Sequence, residues 1–307
     1  MTENRTDSCN ICPRKCGAVR TKHKGYCGSD DEMLISRAAP HMWEEPCISG
    51  TNGSGTVFFS GCNLHCVFCQ NKAISDGGVG KKFDIDGLVR IFLDLQEQNV
   101  YNINLVTPTH YSLKIREAVI KARDKGLVLP VLFNCGGYED AETVRKLEDC
   151  VDIWMPDFKY MSKETSLRYS KCPDYFEVAV KALDEMVRQV REKGGTEFDK
   201  DGMMKRGVLV RHMMLPEHTG ESKRILRFLH ERYGDEIYIS IMSQYTPMPH
   251  ILADASYPEL HKKVDPADYD RLTDFAIKIG IEKAFIQEGD VASESFIPKL
   301  RVFRERA

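Results

Sequence analysis

In the stretch Gly61–Ser75, GCNLHCVFCQNKAIS, three cysteines, Cys62, Cys66 and Cys69, stand at a CxxxCxxC spacing, and Phe68 immediately precedes the third. With 11 cysteines in 307 residues, chance yields such a triplet at roughly 0.01 per chain. Three thiolates are soft ligands. A cube of four irons and four sulfides that receives three of them keeps one iron without a protein ligand, open to a substrate or cofactor. The competing uses are a structural zinc site, for which His65 is available as the fourth donor, and a disulfide.

A second thiol group precedes it. Residues 9–28, CNICPRKCGAVRTKHKGYCG, hold Cys9, Cys12, Cys16 and Cys27, with Pro13, Gly17 and Gly25 supplying turns. Four thiols in so short a segment can close around one metal ion or cluster. A zinc knuckle would hold together a segment too small for its own core, and a second iron-sulfur cluster could relay electrons or touch substrate. His23 or Cys47 could replace a thiol in either. Cys135, Cys150 and Cys172 read as free, mostly buried thiols that pack as small hydrophobes; Cys135, beside Asn134, is the one worth testing.

The elements that must position these groups alternate along the chain. Thr56–Ser60 (TVFFS) reads as a strand that runs straight into the cysteine loop. Further strands are expected at Asn102–Val106, Val128–Phe133, Val151–Met155, Val208–Arg211, Ile237–Met242 and Ala284–Gln287. Between them, apolar residues recur at helical spacing from Ile85 to Leu95 with Asp84 as N-cap, and over Ser112–Lys125, Asp140–Glu148, Phe176–Val190, Ser222–Tyr233 and Asp265–Ile279. Strands alternating with helices at this period make parallel βα units that curve towards a TIM-like barrel. A doubly wound sheet is the runner-up, but its phosphate-loop glycine patterns are missing. Residues 33–55, with Pro40, Pro46, Gly50, Gly53 and Gly55, read as a linker; it carries His41, Trp43, Glu44 and Glu45, a coil able to cover one barrel end, and is assigned no chemistry. The polar stretch 194–206 reads as a solvated loop. The expected organisation is a cysteine-rich segment and linker over 1–55, the barrel over 56–290 and a tail over 291–307.

Active sites of such barrels lie at the C-terminal strand ends. Those positions hold Thr107, Pro108, Thr109 and His110; Asn134, Cys135, Gly136 and Gly137; Asp157 and Lys159; Arg211 and His212; Ser243, Gln244 and Tyr245; and Gln287 and Glu288. This set supplies carboxylates, amides and hydroxyls at several angles.

Composition limits the partners. Lys plus Arg (43) against Asp plus Glu (46) leaves a net charge of -3, without an electrostatic footprint for nucleic acid or an anionic membrane, so neither is an expected partner. The N-terminus MTENRTDSCN lacks the apolar core of a signal peptide, and no run of about 18 apolar residues occurs. A cytoplasmic protein is expected. There thiols stay reduced, which favours metal ligation over disulfides, and exposed clusters suit anaerobic conditions.

The CxxxCxΦC loop, Φ being the aromatic Phe68, resembles residue by residue that of the radical S-adenosylmethionine (SAM) superfamily. The resemblance implies a [4Fe-4S] cluster on Cys62, Cys66 and Cys69 whose open iron chelates SAM. One electron then cleaves the sulfonium bond, and the 5′-deoxyadenosyl radical takes hydrogen from a substrate. It also implies a partial (β/α)6 barrel with the cluster loop after the first strand, and a reducing electron donor of flavodoxin or ferredoxin type.

The second half resembles the pyruvate formate-lyase activating enzyme branch. WMPDFK looks like its strand-four motif, where a DxK pair, here Asp157 and Lys159, lies beside SAM. NCGGY, with Asn134, occupies the place of its strand-three turn, and RHMMLP that of its strand-five segment, which would bring His212 towards the ribose or methionine. The branch's Gly-Gly-Glu turn is absent; TPTH stands there, and Thr107 and Thr109 would take its task. Phe68 and Gln244 complete the implied SAM contacts, and no catalytic residue is assigned. The four-cysteine segment is foreign to the minimal activating enzyme. With EEPCISG, NLVTPTHY, DIWMPDFKY and ISIMSQYTP it makes the chain similar, over 9 to about 288, to the activating-enzyme-related subfamily. The implied substrate is a glycyl radical enzyme, a peptide or a small metabolite. The competing class is a non-catalytic zinc protein in which the barrel serves as a scaffold.

Overall fold

The computed structural model describes residues 8–286; Gln287, Glu288 and the tail 291–307 lie outside the described residues. Residues 8–32 form turns without helix or strand. The stretch read as a linker instead opens with a nine-residue strand, β1 (Met33–His41), followed by a single turn of helix, α1 (Pro46–Ser49). β1 lies antiparallel to β2 (Ser54–Phe59), with His41 opposite Ser54 and Ile35 opposite Phe59. After α2 (Lys72–Ser75), the short β3 (Lys81–Phe83) covers only Met33–Ile35 of its other edge. Pro40 is therefore on an unpaired edge, where a missing N–H costs no ladder bond.

From β2 onward the expected alternation appears. α3 (Ile85–Glu97) starts at Asp84, whose side chain accepts from the Gly87 N–H at 2.7 Å, a cap worth about 1 kcal/mol. It leads to β4 (Ile103–Val106), α4 (Ser112–Asp124), β5 (Val131–Cys135), α5 (Ala141–Arg145), β6 (Ile153–Pro156), α6 (Lys163–Ser170) and α7 (Tyr175–Glu192). The stretch read as a solvated loop contains β7 (Glu197–Phe198), which forms a hairpin with β8 (Met204–Met213). α8 (Thr219–Tyr233), β9 (Tyr238–Met242), α9 (Pro249–Leu252), α10 (Pro266–Lys278) and β10 (Ala284–Ile286) follow. β5 begins three residues later than expected because Pro130 precedes it, and Val128 remains 83% exposed.

The sheet order is β10-β9-β8-β6-β5-β4-β2-β1-β3, with every neighbouring pair from β2 to β10 parallel. Within the described residues β10 and β3 end the order, so the sheet is an open, partial barrel, as expected. The period-two alternation of the strands separates two environments. Val131 and Phe133, Val208 and Val210, Ile239 and Ile241 join the core beneath the helices. Leu132, Ile153, Met155 and Leu209 face the other way and pack with Cys47 and Ile48 of α1. The segment after β1 therefore plugs one end of the lumen with an apolar turn, and the next inward residues up the strands, Asn134, Asp157 and Arg211, are polar. No helix of the described residues is long and apolar enough to cross a membrane.

Candidate active site

The thiol loop leaves β2 through Gly61, at φ +98°. A Cβ there would collide with Ser29 Oγ and lie 2.7 Å from the Cys27 carbonyl, so only glycine allows the N-terminal segment this close. The adjoining Cys62 N–H donates to that same carbonyl at 3.0 Å, and Ser29 Oγ donates to the Ser60 carbonyl at 3.0 Å. Arg14, from the CPRKC stretch, clamps the loop from the other side. Its guanidinium donates to the carbonyls of Asn63 (2.8 Å), Lys171 (2.6 Å) and Ser170 (2.9 Å) and to Cys172 Sγ (2.6 Å), between the rings of Tyr26 and Tyr138. Asn63 in turn donates to the Tyr138 carbonyl at 2.7 Å.

Cys62, Cys66 and Cys69 all line one cavity. Burial, then the neighbouring Cys66, pushes the Cys62 thiol up to about 12, and the same two causes raise Cys69. Three thiols converging on one cavity are a donor set for a soft, highly charged acceptor, whose binding displaces their protons. Cys66 also accepts from Ser170 Oγ at 3.1 Å. His65, the alternative fourth donor, is committed elsewhere: its ring hydrogen-bonds the Tyr26 carbonyl at 2.9 Å and does not line the cavity. The donor set thus fits a cluster bound through three cysteines.

The cavity, of about 270 Å³, continues from the thiols to the strand ends. Of the predicted residues, Phe68, Thr107, Asn134, Asp157, Lys159 and Gln244 line it. Phe68 is fixed by edge contacts with Tyr169 and Tyr245. Thr107 sits at φ +56°, unusual for a β-branched residue and a form of strain found at functional sites. Asp157 accepts from Lys159 Nζ at 2.6 Å and Arg211 Nε at 3.0 Å, and Arg211 Nη2 donates to Asn134 Oδ1 at 2.6 Å. Burial alone would raise Asp157, but Lys159 and Arg211 outweigh it and hold the carboxyl below its usual range.

Thr109 and His212 are not brought into the cavity. Thr109 begins a turn of 3-10 helix and donates to buried Glu139 at 2.8 Å; burial pushes the Glu139 carboxyl up to about 8. His212 follows inward-facing Arg211 and therefore points to the helix layer, its Nδ1 bonded to the Phe158 carbonyl at 2.8 Å and its Nε2 buried without a partner. Burial lowers its pKa.

The structure adds Glu44, which also lines the cavity, accepting from Arg211 Nη1 at 3.3 Å and Asn104 Nδ2 at 3.1 Å. No motif marks it; the signal was two consecutive acids ahead of an apolar turn.

The four N-terminal cysteines share one neighbourhood. A Cβ on Gly25 would stand 3.4 Å from Cys16 Sγ and 3.5 Å from Cys27 Sγ, Cys9 hydrogen-bonds Cys16, and Cys12 feels the charges of Cys27 and Cys9. Burial pushes Cys12 up to about 12 and raises Cys27. Burial would raise Cys16 too, yet hydrogen bonds with the backbone of Tyr26 and Ala18 win and hold it low. Among the described residues, no three Cys, His, Asp or Glu side chains already form a coordination shell for a single ion. Cys135, Cys150 and Cys172 are buried and unbridged.

Comparison with known proteins bears on residues 56–229, which match the model of the Radical SAM superfamily. An uncharacterized protein of Methanocaldococcus jannaschii, MJ0674, is 25% identical over 292 residues, covering 92% of this chain and 78% of that protein. Among solved structures, Streptococcus suis SuiB bound to its precursor peptide SuiA aligns with a TM-score of 0.50 at 13% identity, over 75% of this chain. The chain spans 47% of the length of SuiB. Methylornithine synthase (PylB) aligns with a TM-score of 0.48 at 12% identity, over 73% of this chain and 60% of PylB.

Proposed function

Because the chain belongs to the radical SAM superfamily, we propose that it is an enzyme that reductively cleaves SAM at a [4Fe-4S] cluster held by Cys62, Cys66 and Cys69 and abstracts hydrogen from a substrate. The carrying observation is the convergence of these three thiols on one cavity with Asp157 and Lys159. When bound, the cluster and SAM supply a one-electron cleavage and a carbon radical. The chain supplies the rest. Phe68, Thr107, Asn134, Asp157, Lys159 and Gln244 form the walls that orient SAM, and Arg211 keeps Asp157 ionised and fixed. Thr109 and His212 act from behind the wall: Thr109 through its bond to Glu139, and His212 by pinning Phe158 next to Asp157. The test is anaerobic reconstitution, reduction and assay for 5′-deoxyadenosine. Its persistent absence from protein with a verified cluster would defeat the proposal.

Residues 1–55 serve in this reading as a metal-binding segment ahead of the barrel, with Cys9, Cys12, Cys16 and Cys27 as a second site for zinc or an iron-sulfur cluster. Its support is the shared neighbourhood of the thiols and the hydrogen bond between Cys27 and Cys62. Metal analysis decides its content: roughly eight irons per chain for two clusters, or roughly four irons and one zinc. A flavodoxin or ferredoxin type protein would supply the electron, and eleven unbridged thiols suit a reducing cytoplasm. The substrate is a peptide or protein in this reading. SuiB, crystallised with its precursor peptide, is a precedent of the same fold. The activating-enzyme-related reading, with a glycyl radical enzyme as the partner, is favoured by the Asp157–Lys159 pair at the cavity wall. Co-incubation with candidate partners should then give a stable glycyl signal in electron paramagnetic resonance; its absence counts against that partner.

A further inference from the structure

The inner wall sets three carboxyl groups against two cations. Three carboxylates, Glu44, Glu45 and Asp157, lie around Arg211 and Lys159. Asp157 takes the close bonds of both cations, and Asn134 takes a third. Glu44 keeps only the Arg211 Nη1 contact at 3.3 Å and a neutral amide at 3.1 Å.

Two further buried atoms point the same way. Glu45, 9% exposed, has Oε2 without a partner, and so does Oδ1 of fully buried Asn104. Asn104 shares its strand face with cavity-lining Val106, and Glu45 hydrogen-bonds Ser240, on the same face as cavity-lining Met242. As a carboxylate and an amide oxygen, these orphans are acceptors. Trp43, 62% exposed, and Phe58 line the cavity with Glu44, and an aromatic wall beside a carboxylate attracts cations. Burial, the first cause in each case, raises both glutamates, and a cation bonded to Glu44 would oppose that rise.

The residues concerned come from a different part of the chain than most of the wall. The superfamily match begins at residue 56, whereas Trp43, Glu44 and Glu45 come from the segment that plugs the lumen. We propose that this end of the cavity is a substrate subsite for a primary ammonium group, bonded by Glu44 with Glu45 and Asn104 behind it and Trp43 alongside. A primary ammonium brings three donors and one positive charge, which would give Glu44 a close partner and the three carboxyl groups a third cation. The assignment of this group to the substrate rests on the radical SAM reading above.

The probes are Nα-acetyl-lysine amide and its uncharged analogue Nα-acetyl-norleucine amide, titrated calorimetrically into anaerobic, cluster-loaded protein saturated with SAM. The lysine probe should bind at least tenfold more tightly than norleucine. Glu44→Gln, with iron content measured to verify folding, should remove most of the preference; Glu45→Gln should reduce it. Equal binding of the two probes to the unaltered protein, which needs no variant, would overturn the proposal. So would displacement of SAM by the lysine probe, since the carboxylates would then serve SAM. Because the measurement needs no turnover, a lysine preference without 5′-deoxyadenosine formation would defeat the radical reading and leave the ammonium subsite standing.

Discussion

Replacing Arg211 with methionine keeps an apolar stem of similar length and removes one buried charge. Asp157 would retain only Lys159, Glu44 only the amide of Asn104, and Asn134 Oδ1 would lose its donor. Breaking a buried pair by removing one partner costs about 3–5 kcal/mol. The side chains of Arg211, Asp157 and Glu44 keep 16%, 19% and 10% of their surface, opening onto the cavity, so water can enter and the lower figure, about 3 kcal/mol, applies. At roughly 2–3 °C per kcal/mol for a chain of this size, that is a fall of about 6–9 °C in the thermal midpoint, read by circular dichroism on anaerobic protein with matched iron content. The pH dependence is fixed in sign. Asp157, held low, contributes stability above the unfolded carboxylate range and loses it as pH falls through its folded value; Glu44 and Glu45, held high, cost stability as pH rises through that range and beyond. Without Arg211 both glutamates rise further, so the deficit of the variant should be larger at pH 7.5 than at pH 5.5. A loss below about 1 kcal/mol at pH 7.5, or a deficit that grows towards low pH, would refute the network as drawn.

Cys66→Ala should abolish both the low-temperature electron paramagnetic resonance signal of the reduced cluster and 5′-deoxyadenosine formation, since two thiols cannot hold the cube. Arg14→Lys keeps the charge but not the planar fork that serves three carbonyls and a thiol; a loss of roughly 2 kcal/mol and a broadened cluster signal are expected, and an unchanged signal would make Arg14 merely a surface tether. Glu139 keeps its proton in the folded state at neutral pH while an unfolded glutamate releases it, so stability should fall as pH rises from about 5 to about 8. Glu139→Gln should flatten that fall, and parallel pH profiles of the two proteins would show that Glu139 is not its source.

The thiol loop, the βα alternation and the inward Asn134, Asp157 and Lys159 were legible because each rests on a local signal: a spacing, an apolar period, or a polar residue just past a strand. β1 was not, because its Pro40 is tolerated only on an edge left bare by the short β3, and no local pattern tells where a partner strand stops. The wrong face was expected for His212 because Arg211 and His212 are adjacent, and a one-residue uncertainty in register exchanges lumen for helix layer. Thr109 was turned aside by a 3-10 turn that its composition does not announce. Glu44 and Glu45 were placed over a barrel end but assigned no chemistry for another reason: their contacts are with Arg211, Asn104 and Ser240, brought near only when the segment before the barrel folds back into it.

The seam between Cys27 and Cys62 couples the two thiol groups. The carbonyl that receives the Cys62 N–H belongs to the last cysteine of the first thiol group, so whatever orders residues 9–28 also fixes the backbone from which the second group hangs. By linkage, free energy gained at one is felt at the other. A change that loosens residues 9–28 should therefore be read at the cysteine loop as well, and iron affinity at Cys62, Cys66 and Cys69 becomes a property that the loop shares with the segment docked on it.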